Sequence, residues 1–392
     1  MSKDFDPEKF CGIEEYGTSS PGVGGKIKRR PEDFRVEETP VKMEEGGDYL
    51  LCRLRKTDLS TPQALDILAK KLNVSKGRVG YAGLKDRRAK TEQFITVRNL
   101  SSGRAELSVD NLELEPVKRV SRPLGPGDLQ GNRFEVVIRD IESERNKCRE
   151  ELERLAEEVE EGVPNYYGLQ RFGGDRPVSH LVGKELLRRD FKGAVQTYLF
   201  RTFETEREEA RRARERLADE RDFSQALGYY PENLTYERKL LKRIDSVEPS
   251  SQGDWEQVFH IFPENLRRLF VHAYQSYLFN RALSSLLSRE EVKNFPAKVP
   301  GYRTNLADSD FDFLLEKIMD EEEVELEDFR FRDRGELSSK GAVRAALVEP
   351  EVKVIEAGED DENSGRTEAK LSFFLKPGRY ATVVLREFMK PS

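Results

Sequence analysis

VGYAGLKDRRAKTEQF, residues Val79–Phe94, begins with the alternation of a half-buried strand and ends with another. Between the two lies a charged turn in which a single acidic residue, Asp86, stands among Lys85, Arg87, Arg88 and Lys90. On its own, one carboxylate in a nest of cations is most often a surface ion pair. It is also the arrangement that keeps a carboxylate ionised, because opposite charge nearby favours the charged form. The rest of the chain has to separate the two readings.

Upstream, YLLCRLRK alternates Leu50, Cys52 and Leu54 against Leu51, Arg53 and Arg55, which predicts a half-buried strand. STPQALDILAKKL then opens a helix, with Ser60 or Thr61 as its cap and Pro62 in the first turn. Further back, KIKRRPEDFRVEE reads as a strand broken at Pro31, and residues 1–20 as a loose tail. Downstream, RFEVVIR puts Phe134, Val136 and Ile138 on one face of a strand. Cys148, Leu152, Leu155 and Val159 follow at helical spacing, and Gly162 and Pro164 stop that helix. PNYYGLQRFGGDRP fits neither period; an aromatic, amide-bearing, glycine-rich stretch of this kind is a loop with a function or an unusual turn. From about Ser179 the chain turns mostly helical, and KLSFFL and YATVVLREF return as late strands. Strands, then helices, then strands imply an α+β core interrupted by a long insertion.

Composition bounds the function. The chain has 392 residues, 36% hydrophobic and 36% charged, enough for two or three domains. The formal net charge is −7, yet Pro21–Asp140 carries 24 basic against 18 acidic residues, and Lys76–Lys90 six against one. The negative balance comes from DEEEVELED at Asp320–Asp328 and EDDE at Glu359–Glu362. A basic face on an acidic body suits a polyanion at one defined place, whereas Glu206–Arg221, with both signs mixed, reads as a solvated helix face. Cys11, Cys52 and Cys148 form no CxxC, and His180, His260 and His272 are scattered, so no disulfide framework or metal site is expected. GVGGKI at Gly22–Ile27 lacks the spacing and the hydroxyl residue of a phosphate loop, and no GxGxxG follows a strand, so no nucleotide cofactor is expected. The apolar runs are too short for a membrane span and MSKDFDPEKF lacks a signal-peptide pattern; a cytoplasmic protein without membrane association is expected.

Three segments put polar or aromatic groups where no local pattern gives them a core: the Asp86 turn, NYYGLQRFG and PGRYATVV. Rings interleaved with cations suit nucleobases, which stack on the rings while phosphates meet Lys and Arg. An ionised Asp shielded from water is a competent nucleophile. No second carboxylate presents itself for a glycosidase pair.

GYAGLKDRRAKTEQF resembles the active-site motif of the TruD family of tRNA pseudouridine synthases. PEDFRVEE, NYYGLQRFG and GRYATVVLREF match further family segments in the same order, as do LQGNRFEVVIR and RLFVHAYQSYLFN, so the likeness runs from about Gly25 to Phe388. It implies a pseudouridine synthase core, a mixed and mostly antiparallel sheet with flanking helices, formed by residues 21–189 and 357–392. A large, mainly helical insertion domain would occupy 190–356, with a cleft for RNA between the two. It further implies isomerisation of a tRNA uridine, at position 13 in the best-known members, by a cofactor-free and metal-free enzyme; a monomer is expected. By the same resemblance Asp86 is the catalytic aspartate and Lys28 its basic partner. Phe34, Asn165, Tyr167 and Tyr380 would contact the uridine, Tyr167 and Tyr380 standing where the family often has Phe. Lys85, Arg87, Arg88 and Arg171 would meet RNA.

The residues also have blander readings. Phe34 alternates with Val36 and reads as core; Tyr380 could cap a strand; Asn165 could be a turn residue; Lys28 could be solvent-exposed. His272 reads as a core histidine and Trp255 as a packing anchor. The expected function is tRNA pseudouridine synthesis with Asp86 as nucleophile. The alternatives are an RNA-binding or remodelling protein without chemistry, and an N-glycosidase that would release uracil.

Overall fold

The computed structural model describes residues 5–289, 291–307 and 309–390. The chain divides into two compact units. One comprises Tyr16–Val163 and the chain from Val348 onward; the other comprises the chain up to Glu15 and Pro164–Leu347.

The first unit is built on a nine-stranded sheet. Its strands are β1 (Phe34–Pro40), β2 (Glu45–Thr57), β3 (Val79–Tyr81), β4 (Lys90–Arg98), β5 (Leu107–Val109), β6 (Leu112–Val120), β7 (Leu129–Ile141), and two late strands at Val352–Glu359 and Thr367–Leu375. The spatial order runs from Val352–Glu359 through Thr367–Leu375, β7, β1, β4, β2 and β6 to β5, with β3 beside β4. β1 and β4 run parallel, with Val36 opposite Thr91. The other paired strands run antiparallel.

Two helices close the sheet as their spacing predicts. The helix Thr61–Leu72 is capped by Ser60, with Pro62 in its first turn. It buries Ala64, Leu65, Leu68 and Leu72 against Leu50, Cys52 and Leu54 of β2 and Ile95 and Val97 of β4. The helix Arg145–Glu161 buries Cys148, Leu152, Leu155 and Val159 against the Phe134, Val136 and Ile138 face of β7. Truncating one of those leucines to alanine would cost about 2–5 kcal/mol, because the cavity adds to the lost transfer energy.

The second unit is mainly helical. Its longest helix is Glu264–Leu287, and around it lie Ser179–Leu187, Phe191–Phe200, Glu208–Glu220, Thr235–Val247, Gln252–Phe259 and Asp310–Glu321. In Glu208–Glu220 the pairs Arg212–Glu208 and Arg216–Glu220 face solvent, but Arg214 is buried and meets both Glu206 and Glu237. Trp255 is buried in the helix Gln252–Phe259. Among the described residues no helix is long and apolar enough to cross a membrane.

Two expectations are corrected. YATVVLREF is a helix, Ala381–Met389, not a strand. Its residues 383–388 are all buried, charged Arg386 and Glu387 included, so no polar stripe exposes the helical period and the β-branched run reads as a strand. The N-terminal segment is not a loose tail within its described residues. Cys11 and Ile13 are buried, and the Gly17 and Thr18 amides donate to the Glu387 carboxylate at 3.1 Å. The two compact units part at Val163/Pro164 and Leu347/Val348. The NYYGLQRFG loop and the helix Ser179–Leu187 therefore belong to the helical unit.

Candidate active site

Asp86 sits in the turn between β3 and β4, its side chain 42% exposed. The Lys28 ammonium donates directly to its carboxylate. Lys28 comes from a segment with exceptional backbone geometry: its own φ is +57°, in the left-handed region that costs a non-glycine residue energy. Lys26 bridges to Arg139 of β7 through both backbone groups, at 2.7 and 2.8 Å. Gly25, at φ +87°, passes so close to β7 that a Cβ there would lie 2.7 Å from the Arg139 carbonyl oxygen. Gly25 of GVGGKI thus serves a close approach of backbone to β7 in the segment that carries Lys28. The same ammonium lies 4.2 Å from the centroid of the Phe34 ring. Phe34 is 2% exposed and packs edge-on against Phe134. The core reading of Phe34 therefore holds in this structure, with the added role of a floor beneath Lys28.

The turn is pinned from below. The Lys85 backbone N–H donates to Thr61 Oγ1 at 2.9 Å, and Asp58 N–H donates to the Ala89 carbonyl at 3.2 Å. Lys56 is 1% exposed, and its Nζ donates to the carbonyl oxygens of Leu59 at 2.5 Å and Asp86 at 3.0 Å. Burial pushes the Lys56 ammonium down to about 8, with nearby Asp86 opposing that shift and Lys85 adding to it.

The four cations expected to meet RNA separate. Lys85 is buried, its ammonium 2.6 Å from Glu38, whose other oxygen accepts from the Phe94 amide at 3.1 Å. It is a structural cation and corrects that expectation. Arg88 donates to the Arg29 carbonyl at 2.6 Å and ties the turn to the Lys28 segment. Arg87 lies 3.6 Å from Asp58 with a side chain 63% exposed. Arg171 belongs to the helical unit, its guanidinium over the Tyr167 ring at 5.3 Å.

Asn165 and Tyr167 also lie in the helical unit. Asn165 is 3% exposed. Its Nδ2 donates to the Ala345 carbonyl at 2.8 Å, and its Oδ1 accepts from Arg344 at 2.6 Å, so the amide is held one way round. The Tyr167 ring has the Arg344 guanidinium 4.2 Å from its centroid and Phe279 edge-on at 5.5 Å. The loop docks on the long helix: Asn280 accepts from the Tyr167 amide at 2.9 Å and donates to its carbonyl at 2.9 Å, and the Tyr166 hydroxyl pairs with Ser284. His272 is half-buried, and burial pushes its imidazole down to about 4, with Arg171 and Arg268 adding to the effect. Tyr380, in the sheet unit, is the N-cap residue of Ala381–Met389.

Among the described residues, Asp360, Asp361 and Glu368 bring ligand oxygens together closely enough to hold a metal ion. Arg139 already satisfies them, donating to Asp360 at 3.1 Å, to Asp361 at 2.5 Å and to Glu368, and it reaches Asp33 at 2.9 Å. This is an ion-pair network whose cation is an arginine. The three cysteines are free and buried.

The sequence reading missed Lys56, Glu38, Asn280 and Arg344. Lys56 had a signal: it continues the inward Leu50, Cys52, Leu54 alternation of β2, a place for an apolar side chain. Glu38 likewise follows Phe34 and Val36 inward on β1. Arg344 had none, because the pairing that brings it to Asn165 spans 179 residues.

Comparison with known proteins fits these features. The family model described as tRNA pseudouridine synthase D (TruD) matches residues 10–298 and 291–388. A protein of Methanosarcina acetivorans named "Probable tRNA pseudouridine synthase D" is 36% identical over 431 aligned positions, covering 98% of this chain and 96% of its own. One of the same name from Methanopyrus kandleri is 38% identical, covering 91% and 90%. The crystal structure of the tRNA pseudouridine synthase D (TruD) homologue from Methanosarcina mazei superposes with a TM-score of 0.78 at 33% identity, over 99% of this chain and 98% of that one. This chain belongs to the TruD family of tRNA pseudouridine synthases.

Proposed function

We propose that this isomerase acts on a tRNA uridine, that at position 13, with Asp86 as the attacking group. The observation that carries the reading is the half-exposed Asp86 carboxylate in direct contact with Lys28, whose ammonium rests on Phe34. A charge-assisted hydrogen bond of this kind orients a carboxylate. In the reaction the N1–C1′ bond breaks, the uracil turns, and a C5–C1′ bond forms. C5 loses its proton and N1 gains one, so no mass is gained or lost. Asp86 supplies the nucleophile for that exchange and is released at its end. The target base must leave its stack to be attacked, which costs a few kcal/mol and is offset by contacts with protein.

In this reading the sheet unit carries the chemistry. Asn165, Tyr167 and Tyr380 are the residues assigned to the uridine, and Arg87, Arg88 and Arg171 those assigned to RNA. Lys85 is left out because it is buried against Glu38. The protein acts as a cytoplasmic monomer on tRNA.

The test is to map pseudouridine in a transcript tRNA pool before and after incubation with the pure protein. Isomerisation leaves RNA mass unchanged and creates a base that takes up a cyanoethyl group. Binding without that signal would mark an RNA-binding protein, and released uracil an N-glycosidase.

A further inference from the structure

Lys56 is in the wrong place for an ordinary lysine. It lies on the inward face of β2, in phase with Leu50, Cys52 and Leu54, at 1% exposure. The residues opposite it on the neighbouring strands, Thr91 on β4 and Leu112 on β6, carry no charge. Burying an ammonium is costly unless hydrogen bonds and charge repay it. What this one holds is specific. Its Nζ donates to the Leu59 carbonyl, at the entrance of the helix Thr61–Leu72, and to the carbonyl of Asp86 itself. Lys28 meets the Asp86 carboxylate while Lys56 holds the same residue's backbone.

Resting on the reading of Asp86 as the nucleophile, we infer that Lys56 is a positioning residue, a buried cationic strut that fixes the Asp86 backbone so that its carboxylate points at the base. It touches no substrate and acts through Asp86. Two things follow from its being an ammonium rather than a methyl group. Its hydrogen bonds to both carbonyls are charge-assisted and stronger than those of a neutral donor. Its positive charge also sits beneath the nucleophile. The charged groups of the turn that act on it are Asp86, which favours its protonated form, and Lys85, which opposes it while paired to Glu38. Asp58, in the bend after β2, lies beside Arg87. Because burial brings the ammonium down to about 8, the strut weakens as pH rises past that value.

The test compares the full-length protein with Lys56→Met and Lys56→Arg, by single-turnover pseudouridine formation with enzyme in excess, tRNA affinity and thermal unfolding. Lys56→Met should lower the single-turnover rate roughly 100-fold, the scale of a small misplacement at a catalytic group, with tRNA affinity within about 3-fold of wild type. Lys56→Arg keeps a charged donor that does not titrate, so the ratio of its rate to the wild-type rate should climb as pH rises from 7 to 9.5. A folded Lys56→Met enzyme with the wild-type rate, or one that loses rate and tRNA affinity together, would overturn the inference. If Lys56→Met does not fold, Lys56→Arg decides: a rate ratio constant across that pH range overturns it. Asp86→Asn is the control for the underlying reading. If that variant remains active the nucleophile is misassigned, whereas an inactive Asp86→Asn beside an unaffected Lys56→Met removes only the role given to Lys56.

Discussion

Lys28 holds its ammonium 4.2 Å above the centre of the Phe34 ring while donating to Asp86. The ring is buried, so its contribution runs through Lys28, by a cation–π contact worth roughly 0.5–2 kcal/mol. Phe34→Leu keeps an apolar side chain in the core and removes that contact. The turnover rate should fall about 2- to 30-fold, the range those energies convert to, with little change in tRNA affinity. A rise in KM at unchanged kcat would instead make Phe34 a direct partner of the base.

Asp86→Asn keeps the shape of the turn and removes the carboxylate proposed to attack. Pseudouridine formation should drop by many orders of magnitude while tRNA binding persists, because an amide cannot replace a carboxylate in covalent attack. Stability should change by about 1 kcal/mol or less, as for an ion pair with one half-exposed partner. Near wild-type turnover in this variant would reduce Asp86 to a salt-bridge partner.

Lys85 and Arg87 are two residues apart and should behave oppositely. Lys85→Met strands Glu38 in the interior and should cost about 3–5 kcal/mol in chemical denaturation. Arg87→Glu should barely affect stability, but it should weaken tRNA binding and flatten its dependence on salt, since fewer counterions are released. An unchanged salt slope would show that Arg87 does not face RNA.

His180 and His272 should set the acid limb of stability. Burial pushes their imidazoles down to about 3 and about 4, below the ordinary value of 6.5. Between those values and 6.5 the unfolded chain binds protons that the folded chain does not, so stability is full above about 6.5 and falls as pH drops. His180, packed among Phe10, Phe172 and Tyr277, should dominate. Unfolding midpoints measured from pH 7 to 4 should decline less steeply in a folded His180→Leu variant than in wild type; parallel curves would sink the assignment.

Activity should survive exhaustive chelation. The carboxylates that come close enough to hold a metal ion among the described residues, Asp360, Asp361 and Glu368, are occupied by Arg139. Loss of activity in EDTA, restored by zinc, would contradict this.

The sequence by itself determined what is local or periodic. The helices at Thr61–Leu72 and Arg145–Glu161 follow from a cap, a proline and apolar spacing, and β2 and β7 follow from alternation. Motif order carried the family and named Asp86. Where the period is masked, as in the helix Ala381–Met389 with residues 383–388 all buried, the same rules mistook a helix for a strand. What each charged side chain does was left to tertiary structure, because a lysine reads alike in sequence whether it meets water, a carboxylate or a carbonyl. Within one short turn Lys85 is spent on Glu38, Arg88 on the Arg29 carbonyl, and Arg87 stays exposed. The strut beneath Asp86 comes from a strand thirty residues away. Sheet pairing and chain reversal set such partners, and their long sequence separations leave no local pattern from which to read them.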